Sequence, residues 1–128
     1  MNTNEKTINE LYDAVLRAAF EVSNVLGAGF LEKVYELALI RELALSGLCC
    51  RAQAALRIHY KGTRVGNYFA DLLVEDKLIV ELKCVERLAP EHLAKCLNYL
   101  RATDLRIALL VNFERPRLAY KRVLNGFD

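Results

Sequence analysis

Two apolar runs, residues 68–74 and 78–83, are separated only by Glu75, Asp76 and Lys77, and each carries charge inside what otherwise reads as buried strand. So short a polar break between strand-like runs makes a hairpin. Its register follows from the residues. With a three-residue loop, Val74 faces Leu78, Leu72 faces Val80 and Ala70 faces Leu82, giving one wholly apolar face. The other face sets Leu73 against Ile79, Asp71 against Glu81 and Phe69 against Lys83, because side chains two apart point the same way. A two-residue loop would put Asp71 opposite Val80 instead. The favoured register keeps the apolar residues together but opposes two carboxylates, which repel unless positive charge lies between them.

A divalent cation supplies that charge. Asp and Glu oxygens are the hard ligands that Mg²⁺ or Mn²⁺ prefers, and such an ion usually takes one or two protein carboxylates, leaving positions for water and phosphate. Lys83, on the same face, is placed to hold or deprotonate that water, or to offset phosphate charge. Taken alone, Asp71 with Glu81-x-Lys83 reads better as a partly buried ion pair at a strand end, since the pattern is short and structural ion pairs are common.

Further residues shift that balance. Gly29, Glu32 and Tyr35 have the spacing G-x-x-E-x-x-Y, and they are joined by Leu26, Gly27, 60–62, Ala70, Asp71, 80–83, 98–103 and 109–113. On these residues the chain resembles the GxxExxY protein family, a branch of the PD-(D/E)XK nuclease superfamily. The resemblance implies a restriction-endonuclease-like α/β core: a helix, a three-stranded antiparallel meander, a second helix and further strands. It also implies that Asp71 and Glu81 bind metal, that Glu32 joins them from the preceding helix directly or through water, and that Lys83 serves the attacking water. Two positions depart from the pattern. Ala70 stands where the superfamily's name has Pro, which leaves the Asp71 ligand oxygen in place. Lys95 and Tyr99 stand where related nucleases often carry Gln and Tyr; at i and i+4 they share a helical face. Lys95 can reach substrate phosphate, or it can neutralise Asp71 and Glu81 in competition with metal.

At 128 residues and 54% hydrophobic content, the chain reads as one α/β domain over 1–128. Ile8, Leu11, Val15, Ala18, Ala19, Val22 and Val25 recur at helical spacing and stop at Gly27; a second helix runs from near Phe30 through Tyr35, Leu39 and Leu43 to Gly47. Glu32 in its first turn is also what a helix dipole favours. Tyr35, one turn later, either packs in the core or hydrogen-bonds the site. Residues 55–60 suggest a strand, and 61–66 a turn leading into the Asp71 strand. Pro90 opens a helix that turns Leu93, Cys96, Leu97 and Leu100 inward and His92, Lys95 and Tyr99 to the companion face. These three and Tyr35 are the candidate substrate-binding residues. His92 ranks below the rest, because a lone helical histidine is more often surface. Strands are expected at 106–113 and 118–123.

No apolar run is long enough to span a bilayer, and residues 1–10 are polar and acidic rather than basic then apolar, so the expected compartment is the cytoplasm, without membrane association. Cys49, Cys50, Cys84 and Cys96 lack C-x-x-C spacing, which favours reduced, buried thiols over a disulfide or zinc site. The net charge of +2 divides unevenly: −3 over 1–50, +2 over 51–100 and +3 over 101–128. Arg101, Arg106, Arg115, Arg117, Lys121 and Arg122 suit a nucleic-acid backbone, and equally a solvated surface. No P-loop, zinc finger or nucleotide-binding glycine motif occurs.

The leading reading is a Mg²⁺- or Mn²⁺-dependent nuclease that hydrolyses phosphodiester bonds of DNA, ahead of RNA. Asp71, Glu81 and Glu32 are its metal residues, the Leu82 carbonyl is a further ligand candidate, and Lys83 positions the attacking hydroxide. The alternative, from another class, is a catalytically inactive nuclease-fold module for nucleic-acid or protein binding, with Lys95 providing the charge of the absent metal. So small a nuclease does not surround a duplex alone, which brings a symmetric homodimer into consideration.

Overall fold

The computed structural model describes residues 3–126, with side chains from Thr7 onward. In chain order it has α1 (Thr3–Leu26), α2 (Glu32–Leu45), β1 (Cys50–Tyr60), β2 (Thr63–Val74), β3 (Leu78–Lys83), α3 (Pro90–Thr103), β4 (Ile107–Asn112) and β5 (Ala119–Leu124). The strands form one sheet in the order β1-β2-β3-β4-β5, antiparallel except for the parallel pair β3–β4. Parallel strands need a crossover, and α3 provides it. α1 and α2 pack on one face of the sheet and α3 on the other. With both faces covered, β4 is buried throughout and β3 nearly so, which is why both read as continuous apolar runs. This is the helix, antiparallel meander, helix and further strands expected from the sequence.

α1 ends at Gly27, whose φ of 70° is costly for other residues and whose N–H donates to the Ser23 carbonyl at 2.9 Å. The helix stripe is shorter than expected at its end, since Val25 is 70% exposed. Likewise Phe30 lies ahead of α2 and is exposed, while Tyr35, Leu39 and Leu43 are fully buried. The Tyr35 hydroxyl donates to the Gly27 carbonyl at 2.6 Å and accepts from the Phe30 N–H at 3.2 Å. Its ring stacks on Phe113 at 4.6 Å between centroids. Tyr35 is thus a strut across the α1–α2 turn, and no part of it is free to meet substrate. Tyr35→Phe should lower stability by about 1 kcal/mol in urea denaturation, because the half-buried Gly27 carbonyl loses its donor; an unchanged midpoint would remove the strut role.

β2 and β3 pair Val74 with Leu78, Leu73 with Ile79 and Leu72 with Val80 around the three-residue loop. That is the register read from the apolar pattern. There the ladder ends, so the expected Asp71–Glu81, Ala70–Leu82 and Phe69–Lys83 pairs are not part of it. β1 is interrupted at the same level: Ala52 pairs with Leu72 and Ala54 with Ala70, while Gln53 between them takes a left-handed backbone, φ 49°. The Gln53 amide donates to Glu36 Oε1 at 3.2 Å, and Glu36, buried on α2, takes the Lys33 ammonium on Oε2 at 2.8 Å. Past this kink the side chains change sides. Leu72 and Val74 pack with α1 and α2, whereas Ala70 packs with Ala54, Leu56, Cys96 and Tyr99 beneath α3. Strict alternation fails because one strand carries a left-handed residue and the other gives up its ladder bonds, a bulge-like re-aiming of the chain.

Beyond the kink β1 and β2 continue as a two-stranded arm. It is closed by Lys61 (φ 47°) and Gly62 (φ 84°), both left-handed, as the twist of a two-residue hairpin requires. The arm takes up 61–66, expected as turn and lead-in, because cross-strand bonds rather than burial hold it. No helix among the described residues is long and apolar enough to cross a membrane.

Candidate active site

Where β2 leaves β3, two carboxylates replace the missing ladder bonds. The Asp71 N–H donates to Glu81 Oε2 at 3.1 Å, and the Leu82 N–H donates to Asp71 Oδ2 at 2.8 Å. The side chains therefore hold the strands apart and are held by them. Glu81 is only 2% exposed, and its other oxygen, Oε1, is buried with no hydrogen-bond partner. Burial first, then the hydrogen bond and charge of Asp71, push the Glu81 carboxyl up to about 8, against the smaller opposing pull of the Asp71 N–H and Lys95. Near neutral pH the metal-free Glu81 carboxyl therefore favours its protonated form.

α3 faces this pair. Cys96, 1% exposed, feels all of these charges: burial raises its thiol to about 12, Glu81 and Asp71 add to this, and Lys83 and Lys95 oppose it. Asp71, Glu81, Lys83 and Lys95 thus all sit near one buried thiol on the α3 side. All four cysteines are free, and Cys49 is exposed. In a timed reaction with a thiol reagent Cys49 should be modified first and Cys96 only upon unfolding; early labelling of Cys96 in the folded protein would contradict this packing.

Lys95 lies 5.6 Å from the centroid of the Tyr99 ring. Partial burial pulls the Lys95 ammonium down, but the Tyr99 hydroxyl, Glu81 and Asp71 together outweigh it and its pKa is raised. It makes no ion pair with either carboxylate among the described residues. Tyr99 is buried, which raises its hydroxyl, with Lys95 offsetting part of the effect. Both also line a cleft of about 580 Å³ between α3 and the arm, along with Ile58, Tyr68, Asn98 and Arg101.

Three candidates lie apart from this group. Glu32 is exposed on the first turn of α2, and its charge acts on the Cys84 thiol, one residue past Lys83. No group of three His, Cys, Asp or Glu side chains among the described residues is arranged to hold a metal. His92 Nδ1 accepts the Ala89 N–H at 2.9 Å and caps α3; it satisfies an orphan donor at a helix start. Tyr35 is the core strut already described. Of the basic residues near the end of the chain, Arg101 lines the cleft. Arg115 instead donates to the Glu86 carbonyl, and Arg122 stacks over Tyr12 at 4.7 Å and donates to Asn9.

Sequence reasoning missed the groups that shape the site. Glu36, adjacent to Tyr35, fixes the Gln53 kink, and no periodic signal marks a buried acid on a helix. Asn112 accepts the Val85 N–H at 3.1 Å and donates to the Val85 carbonyl at 2.7 Å, tying down the chain just after Lys83. An Asn ending an otherwise apolar strand was its only signal.

The donor set suits a hard divalent cation. Two adjacent carboxylates, one with an unpartnered oxygen and an excess affinity for protons, offer oxygen ligands and negative charge, and leave other positions to water. Residues 9–123 match the family model of the PD-(D/E)XK nuclease superfamily. No curated protein matches the chain. Among solved structures, the fold is similar to that of SSO0001, with 17% identity and a TM-score of 0.53, covering 75% of this chain and 52% of that one. The chain thus spans about half the length of that protein. An alkaline exonuclease from Laribacter hongkongensis, LHK-Exo, is also similar, at 14% identity and a TM-score of 0.49, over 84% of this chain and 76% of that one. The family match spans both helices before the meander, the Asp71 and Glu81 strands and the strands that follow, and on it the chain belongs to the PD-(D/E)XK nuclease superfamily.

Proposed function

We propose that the protein is a Mg²⁺- or Mn²⁺-dependent nuclease of the GxxExxY branch, acting on phosphodiester bonds of DNA in preference to RNA. The observation that carries this reading is Glu81 Oε1, buried without a partner beside a second carboxylate. A buried acid left in this state is costly for folding alone, and the cost is intelligible if the oxygen serves a ligand. Asp71 and Glu81 would hold the cation, which when bound would polarise the phosphate and lower the pKa of a bound water enough to supply hydroxide. Lys83 would orient that water and offset the negative charge developing on the phosphate. Lys95 and Tyr99 meet the phosphate from α3, and Glu32 acts through water from the end of α2. Cys96 and the apolar residues around it keep the floor dry, which strengthens each of these interactions.

The reading as an inactive module requires Lys95 to stand in for the metal. Lys95 lies over Tyr99 and makes no ion pair with the carboxylates, which favours the working site. Incubation of labelled DNA with the protein and Mg²⁺ or Mn²⁺ should give cleavage that EDTA stops and that Lys83→Ala reduces by about a hundredfold or more. Cleavage unaffected by EDTA would exclude the metal-dependent mechanism.

A further inference from the structure

The arm has no part in the chemistry just described, yet its composition is unusual. Residues 51–70 contain Arg51, Arg57, Lys61 and Arg64 and no acidic residue. Arg51 is paired with Asp76 at 2.8 Å, while Arg57, Lys61 and Arg64 are exposed along the arm. Among these cations stand large aromatic side chains in water: Tyr60 is 64% exposed, Tyr68 53% and Phe69 54%. Tyr68 reaches over the cleft to Tyr99, with ring centroids 5.9 Å apart and planes 48° from parallel. The two rings are tilted rather than stacked, so much of the Tyr68 ring stays open to solvent. The cleft below it also holds Lys95 and Arg101, with Glu91 as its acidic residue, and it shares Lys95 and Tyr99, both of which feel the charges of Glu81 and Asp71, with the carboxylate pair.

Resting on the nuclease reading, we propose that this cleft is the track of the substrate strand and that the substrate is single-stranded: an unpaired base stacks on Tyr68, and its phosphates run past Lys95, Arg101 and the arm cations toward Asp71 and Glu81. Cations interleaved with open aromatic faces are what a flexible single strand needs, one set for the backbone and the other for the bases. A duplex offers the same phosphates but hides its base faces in the stack, so it leaves the exposed tyrosines without a partner. The absence of acid from 51–70 gives the arm the sign that a polyanion requires, and it makes the binding salt-dependent through counterion release.

The test is binding without turnover, so that it stands apart from cleavage. Fluorescence anisotropy in EDTA compares a labelled oligothymidylate, a fully abasic strand of equal length and a blunt duplex. Wild-type protein should bind the oligothymidylate more tightly than either of the others. Tyr68→Ala should weaken oligothymidylate binding about 5- to 100-fold, the range of one lost base stack, with no effect on the abasic strand. Tyr68→Phe should stay within about twofold of wild type, since the ring face is kept. Arg64→Glu should weaken all three ligands and flatten the salt dependence. Unchanged oligothymidylate binding by a Tyr68→Ala protein with wild-type melting temperature would overturn the proposal. So would preference for the duplex, equal binding of the abasic strand, or a Tyr68→Ala effect confined to self-association in sedimentation. None of these results depends on catalysis. Conversely, cleavage that survives loss of Asp71 would remove the catalytic assignment without touching this one.

Discussion

Asp71→Asn is expected to lower metal-dependent cleavage by about a thousandfold or more while leaving the protein folded. The substitution is chosen for what it keeps. Asn retains an oxygen that can accept the Leu82 N–H, now made by Asp71 Oδ2 at 2.8 Å, so the junction between β2 and β3 has its hydrogen bond. What would be lost is the negative charge that, on the proposed reading, holds the cation with Glu81, and several kcal/mol of transition-state stabilisation translate into three or more powers of ten in rate. Stability should not fall, because the repulsion that Asp71 exerts on Glu81 is also relieved. Cleavage assays paired with thermal denaturation read both quantities. An Asn variant that cleaves within about tenfold of wild type would place the chemistry elsewhere.

The second large effect concerns stability against pH in the metal-free protein. The Glu81 carboxyl is raised from 4.5 to about 8 on folding. Between these values the folded state binds more protons than the unfolded state, so stability falls as pH rises. The contribution is fully present below about 4.5, declines through neutrality and is lost above about 8. At 1.36 kcal/mol per unit, the difference across the window is on the order of 3–5 kcal/mol. Glu81→Gln removes the titration, and an amide can still meet the Asp71 carboxylate. Urea denaturation in EDTA should therefore show Glu81→Gln and wild type with similar stability near pH 5, and the variant more stable by a few kcal/mol at pH 9. Parallel curves across this range would mean that Glu81 is not strained by its surroundings.

The hairpin register was legible from residues 72–80 because only one pairing collects their apolar side chains, and the structure keeps that pairing. α3 was equally legible, from Pro90 at its start and Cys96 and Leu100 at inward positions. Legibility ended at Asp71. Alternation is a rule for regular strands, and here Gln53 takes a left-handed backbone opposite the point where carboxylates displace the ladder. Both departures depend on Glu36, Asp71 and Glu81, polar groups whose partners lie far away in sequence. The approach of Asp71 to Glu81 was readable because the register up to Leu72 and Val80 points them at each other, although side-chain to backbone bonds rather than a ladder pair join them. The positions of Glu32, His92 and Tyr35 were not, since each sits near a helix start where capping or packing competes with a role in the site. For His92 and Tyr35 the local role prevailed, with both using hydrogen-bonding atoms on nearby backbone.

On the proposed reading, Asp71 and Glu81 form a cation site, and metal bound there displaces the proton that Glu81 favours near neutral pH. Isothermal titration with Mg²⁺ and Mn²⁺ near pH 7, repeated in buffers of different ionisation enthalpy, measures binding and proton release together. The account predicts saturable binding by wild type, release of close to one proton per cation, and no binding at the same concentrations by a folded Asp71→Asn, Glu81→Gln double variant. Equal binding by the double variant, or none by folded wild type at millimolar metal, would contradict it.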